Sequence, residues 1–246
     1  MTRPTKDKVR LIHTSDTHLG DSVAHARSET AMRAVVDAVP RLGGDLLLLV
    51  GDVFDNDRVP DSVLEFFLDQ IRRLPVPAVV LPGNHDLYGD RSIYRREPFV
   101  RKPLNLHIFT QTDGESIIFP YLTLDLWGRA MLDHTPEFRP LAGMPAASEG
   151  HWMVALAHGH FHFDYDTDQR SSPIYPQEIA EAPCDYLALG HWDRHEDVSQ
   201  GLVKAVYSGC PLGPSQADPV GSVTVVDLDP LRGVEVRRAA LENPSG

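Results

Sequence analysis

The sequence predicts an α/β chain of four layers (α+β in its later part), with two packed mixed β-sheets and helices on their outer faces. Three observations carry this. Short, unbroken apolar runs recur through the first ninety residues, and Asp45-Leu-Leu-Leu-Leu-Val50 is the clearest; such a run marks a strand covered on both faces. Stretches with helical spacing lie between these runs. Beyond them the chain turns β-rich, and Pro- and Gly-containing turns punctuate it.

Residues 9–14 read as a first buried strand. Residues 29–42 carry Ala31, Ala34, Val35, Ala38 and Val39 at helical spacing. The run ending at Val50 is the second strand. A helix follows Pro60, a good first-turn residue, with Val63, Phe66, Phe67 and Ile71 inward. Residues 77–82 form the third strand. Strand, helix, strand, helix, strand is a layered α/β order, and sites in such sheets lie beyond the carboxyl ends of the strands. Further strands are expected at 105–109, 115–119, 121–127, 152–157, 185–189, 203–207, 222–228 and 233–241. The Pro- and Ala-rich run from Asp133 to Gly150 reads as a surface excursion. One domain is expected over residues 8–242, with flexible tails at 1–7 and 243–246.

The chain has 246 residues, 42% of them hydrophobic and 24% charged, ordinary for a soluble globular protein. No apolar run is long enough to cross a membrane. The N-terminal stretch does not read as a secretory signal, and Cys184 and Cys210 read as reduced thiols. A cytoplasmic location is expected. Net charge is −12, which opposes a broad nucleic-acid-binding surface. One local basic stretch runs from Arg91 to Lys102 and contains Arg95, a candidate substrate contact.

Five motifs carry the chemistry: Asp16-Thr-His18, Gly51-Asp-Val-Phe-Asp55, Gly83-Asn-His-Asp86, His158-Gly-His160 and Gly190-His-Trp-Asp193. Most follow an apolar run. Asp16 and His18 share one side of a strand end, because alternate residues share a face. Asp52 follows Gly51 and can bridge two cations with its two oxygens; Asp55 reads as an orienting partner for a histidine. Asn84 offers a neutral amide oxygen, and His85 can protonate a leaving group. His158 and His191 end apolar runs, as metal ligands should, and His160 reads as a substrate contact. His13, His25, His107, His134, His151 and His162 read as ordinary structural or surface histidines. Together the set can hold two divalent cations around a phosphoryl group.

This series resembles the calcineurin-like metallophosphoesterase superfamily over nearly the whole chain. Thr14-Ser-Asp-Thr-His-Leu-Gly20, Gly51-Asp-Val-Phe-Asp55, Pro82-Gly-Asn-His-Asp86 and Val206-Tyr-Ser-Gly-Cys-Pro-Leu212 look most like the SbcD-type DNA-repair exonucleases. The resemblance implies that Asp16, His18 and Asp52 bind one metal. Asp52, Asn84, His158 and His191 would bind the other. It further implies that His85, held by Asp55, is the general acid or a transition-state stabiliser. Manganese is the implied metal, with iron, zinc or magnesium as alternatives; a ligand set without thiolate agrees.

The last motif of that family ends Gly-His-x-His. Here Asp193 takes the final place, and either it or His195 could close the first metal site. The sequence also stops short of the capping domain of SbcD-type nucleases. That and the acidic balance lower the expectation of a DNA substrate, and the lack of the C-terminal helical segment by which such subunits dock lowers that of an ATPase partner subunit. The expected activity is hydrolysis of a phosphodiester by a metal-bridging hydroxide, on nucleic-acid ends or small nucleotides. A phosphomonoesterase acting on a small metabolite and a non-catalytic scaffold are the alternatives.

Overall fold

A computed structural model describes residues 7–163 and 165–244. In chain order the elements are β1 (Val9–Thr14), α1 (His25–Arg41), β2 (Leu46–Val50), α2 (Asp61–Arg72), β3 (Ala78–Leu81), α3 (Glu97–Val100), β4 (Leu106–Ile108), β5 (Glu115–Phe119) and β6 (Leu124–Gly128). They continue with β7 (Trp152–His158), β8 (His160–Phe161), β9 (Pro173–Ile174), α4 (Pro176–Glu181), β10 (Tyr186–Gly190), β11 (Glu196–Asp197), β12 (Lys204–Tyr207), β13 (Ser222–Asp229) and β14 (Gly233–Ala240).

Two six-stranded mixed sheets result, ordered β14-β13-β1-β2-β3-β4 and β11-β12-β10-β7-β6-β5. β1, β2, β3 and β4 pair in parallel, as do β6, β7, β10 and β12. β13 and β14 are antiparallel additions. The unbroken Leu run of β2 is explained by its two faces. Leu47 and Leu49 join the cluster that packs with α1 and α2, whereas Leu46, Leu48 and Val50 face the second sheet. In that inter-sheet cluster they meet residues such as Leu126, Val154, Leu156 and Ala188. A third cluster covers the far side of the second sheet with Ile179 of α4. The expected two-sheet architecture with outer helices is the one observed.

Several boundaries moved for local reasons. The strand expected from residue 121 begins at Leu124, because Pro120–Leu122 form a 3-10 turn closed by Thr123 at φ 47°. α1 starts at His25, where the Asp21 carboxylate accepts the Val23 and Ala24 N–H groups just ahead of it. Phe66 is half-buried and lies under the Arg33 guanidinium at 4.6 Å. Residues 133–150 contain neither helix nor strand. Of the expected tails, residues 1–6, 245 and 246 lie outside the described residues. The Asp7 carbonyl accepts from Trp152 Nε1 (2.8 Å), and its N–H donates to Thr123 Oγ1 (2.8 Å). Among the described residues no helix is long and apolar enough to cross a membrane.

Candidate metal centre

The carboxyl ends of β1, β2, β7 and β10 converge at the seam between the sheets. After β1 and β2 the two loops are laced by main-chain bonds: Asp16 N–H to Gly51 O (3.0 Å), His18 N–H to Asp52 O (3.0 Å) and Leu19 N–H to Val53 O (2.9 Å). Asp16, His18, Asp52 and His191 all have positive φ (55°, 45°, 52° and 110°). For residues other than glycine this costs energy and gathers at functional sites. Gly51 sits in the same region (φ 82°), and a Cβ there would lie 1.9 Å from His158 Nδ1.

Donor atoms of Asp16, His18 and Asp52 lie within 4.8 Å of one another, as do those of Asp52, His158 and His191, and those of His18, Asp55 and His85. Asp52 is common to two of these groups. His158 Nδ1 faces the Val50 carbonyl at 3.0 Å. With the proton on Nδ1, its Nε2 turns a lone pair toward Asn84 Oδ1 (3.0 Å) and Asp52 Oδ2 (3.4 Å). Asn84 Oδ1 is equally close to His191 Nδ1 (3.0 Å). The Asp52 carboxylate also accepts the His85 N–H through Oδ1 (2.8 Å). Acceptors thus face one another around a small space, an arrangement a cation would satisfy. His18 Nδ1 is buried without a hydrogen-bond partner, and Asp55 Oδ1 is its nearest carboxylate at 3.7 Å. Oxygen and imidazole donors of this kind fit hard or borderline divalent ions.

The local field agrees. Burial opposes charge on His158, yet the Asp52 and Asp16 carboxylates outweigh it and push its pKa up to about 10, so that a second proton, on Nε2, takes the place a cation would otherwise hold. Asp52 is held well below the usual carboxylate range despite its burial, chiefly by His158. Burial lifts Asp16 to about 6. Burial and the charge of His158 drive His191 down to about 3. The pocket therefore favours positive charge at its centre.

Asp86 is a residue whose role the sequence did not disclose. Fully buried, its carboxylate accepts from the N–H groups of Gly83 (2.7 Å), Asp52 (3.2 Å), Val53 (2.8 Å) and Phe54 (3.2 Å) and from the Tyr94 hydroxyl (2.6 Å). It ties the loop after β3 to the loop after β2. His134, read as ordinary, stands beside the cluster with its ring 5.5 Å from that of His191. Only the fold brings it there.

Other expected residues lie elsewhere. Asp193 is exposed and belongs to none of the three groups. Its carbonyl accepts the Cys210 N–H (3.0 Å), which fixes the main chain at that point. His195 is turned to Thr224 Oγ1 on β13 (3.2 Å). The Asp55 carboxylate stands near His18 instead. His85 Nδ1 meets the Asp55 main-chain carbonyl (2.7 Å), so Asp55 holds His85 through its backbone. His160 accepts from Trp192 Nε1 (3.4 Å) at the edge of a cavity reaching His191. The Arg95 guanidinium lies over Tyr88 (4.7 Å), and Arg91 rather than Arg95 lines the cavity beside His85.

Two cavities flank the cluster. One of about 460 Å³ reaches His191, and one of about 450 Å³ reaches His85.

The sequence model of the calcineurin-like phosphoesterases matches residues 9–194. The SbcD subunit of the nuclease SbcCD from Bacillus subtilis (strain 168) is 26% identical over an alignment 269 positions long, gaps included, which covers 90% of this chain and 67% of that one. The uncharacterised metallophosphoesterase YhaO of the same organism is 24% identical over 224, and the chain spans about half its length (52%). Among solved structures, an archaeal phosphodiesterase superposes with a TM-score of 0.51 at 16% identity, covering 95% of this chain and 100% of that one. With the family model matched across most of its length and the same two-sheet fold, the chain belongs to the calcineurin-like phosphoesterase family.

Proposed function

We propose that this protein hydrolyses phosphodiesters at a centre of two divalent cations. The observation that carries the reading is the pair of cavities. A monoester needs one pocket beside its phosphate, whereas a diester carries two groups, and here one cavity reaches the cluster at His191 and a second reaches it at His85.

Asp52, Asn84, His158 and His191 would hold one cation, and Asp16, His18 and Asp52 the other. Asp55, nearer His18 than Asp193 is, would add a carboxylate to the second. Such ions supply Lewis acidity toward phosphoryl oxygens and acidify bound water. His85 is the exposed member of the cluster, with Nδ1 engaged by the Asp55 carbonyl. Its Nε2 is thereby left free to give a proton to the departing oxygen. Asp86 keeps the two ligand-bearing loops in register, and His158 and His191 are fixed by Val50 O and by the bond from His191 N–H to Asp16 Oδ2 (3.0 Å). Manganese is the ion we favour, and nucleic-acid ends or small nucleotides are the substrates.

The test is hydrolysis of bis-p-nitrophenyl phosphate against p-nitrophenyl phosphate by metal-stripped protein refilled with manganese. The diester should be cleaved faster. Preference for the monoester would replace this reading with a phosphomonoesterase. Absence of turnover on both, with two ions bound, would argue for a scaffold.

A further inference from the structure

The cavity beside His191 is built from flat rings. Trp192 stacks on the buried Tyr207 with centroids 4.2 Å apart and planes 15° from parallel. Phe163 continues the line at 5.8 Å and 19°, and Tyr165 lies over Phe163 at 5.0 Å and 7°. Tyr207 anchors the row, because its hydroxyl donates to the Gly159 carbonyl (2.7 Å). Asp166 holds the outer part by accepting the Phe163 N–H (2.9 Å) and pairing with His160 Nε2 (3.7 Å). Tyr165, at the outer end, is 74% exposed. Trp192 and Phe163 are half-buried, so the row runs from the buried Tyr207 out to solvent at Tyr165.

Charge sits at the rim. Arg194 lies over the Trp192 ring (5.4 Å), and Arg170 and Asp193 also line the cavity. A lipid chain would have no use for these groups. A nucleobase would use both kinds: its π-face stacks on the rings, and its edge meets arginine donors and a carboxylate acceptor. His191 belongs to this cavity and to the metal cluster, so whatever fills the cavity is a short link from the reacting phosphorus. A nucleoside sugar is such a link.

We propose that this cavity is a nucleobase subsite. It would hold the nucleoside that stays on phosphorus, while the departing group lies on the His85 side. This rests on the diester reading above and assigns its substrate class. Water adds to phosphorus, the bond to the leaving oxygen breaks with that oxygen taking the proton, and a nucleoside monophosphate remains.

The experiment compares kcat/KM of the manganese-loaded protein on the p-nitrophenyl ester of thymidine 5′-monophosphate and on ethyl p-nitrophenyl phosphate. The thymidine ester should be favoured by about tenfold or more, the usual weight of one base stacked on an aromatic ring. That ratio should collapse in Trp192→Ala, return in Trp192→Phe, and shrink in Tyr165→Ala, whose exposed ring has little part in folding. Tryptophan fluorescence gives an independent readout. Trp127 and Trp152 are buried, so saturable quenching by thymidine 5′-monophosphate, but not by inorganic phosphate, reports Trp192. Equal kcat/KM on the two esters without quenching would overturn the subsite and leave the diesterase. Quenching without hydrolysis of either ester would do the reverse.

Discussion

Five donors converge on the Asp86 carboxylate, and four of them are main-chain N–H groups of the two loops that carry Asp52 and Asn84. Losing the fifth, in Tyr94→Phe, leaves an acceptor short of a partner in a buried place. The expected cost is about 1–2 kcal/mol, read as a lowered denaturation midpoint, with weaker manganese binding in the same variant. Glycine makes a sharper prediction. A Cβ on Gly190 would stand 1.8 Å from the Val50 carbonyl. Gly190→Ala should therefore displace His191 and lower metal occupancy, measured by elemental analysis after gel filtration. His85→Ala should behave differently, keeping its fold and losing roughly 10²-fold or more in kcat on a dinucleotide, whose alkoxide leaving group needs the proton. Retention of full turnover would remove His85 from the chemistry.

The elements divide into those a pattern can announce and those only contact can make. β1, β2 and β3 announce themselves as apolar runs, and the residues that follow them are pinned to the sheet ends by strand direction alone. That is why Asp16, Asp52 and Asn84 could be placed from spacing. β8, β9 and β11 have two residues each, too few for any period. Asp193 stands outside the three donor groups for a related reason. Its path depends on the bond from Cys210, a partner distant in sequence with no local signature. The roles of Asp86 and the ring row are likewise invisible in one dimension, since their partners come from distant segments.

β6 shows what such a long-range tie is worth. Asp125 accepts from Ser148 N–H (2.7 Å) and His151 Nδ1 (2.6 Å), which fastens the end of the 133–150 excursion to the strand. Burial pushes this carboxyl up, but Ser148 and His151 outweigh it and hold it below the ordinary range. A depressed pKa contributes stability above the unfolded value near 4 and loses it as pH falls through the folded value. Asp125→Asn should thus destabilise by about 1–3 kcal/mol at pH 7. The gap from wild type should close as urea titrations are repeated down toward pH 3. A gap that does not depend on pH would refute an ionised Asp125 at this tie.

At the scale of the molecule, the acidic balance and the site are one subject. A chain of net charge −12 repels phosphate, and cations at the sheet seam would reverse that field where a phosphate must enter. Ions that bind only the folded chain also stabilise it by mass action, about 2.7 kcal/mol at a hundred times Kd. For a chain of this length that corresponds to a rise in Tm of roughly 5–10 °C. Scanning calorimetry with manganese against chelator should show it, and Asp52→Asn should abolish most of it.

Because the cluster draws Asp16, His18 and Asp52 from one sheet and His158 and His191 from the other, the spacing of its halves is set by the thickness of the apolar filling between them. Leu48, Val50 and Leu156 are therefore gauge blocks as well as core. Shaving one of them would let the sheets settle by a fraction of an ångström, a misfit that reaction geometry punishes more steeply than folding does. Selection on turnover would then police these leucines and valines more strictly than selection on stability alone, and catalysis would fail in a chain that still melts as a single unit.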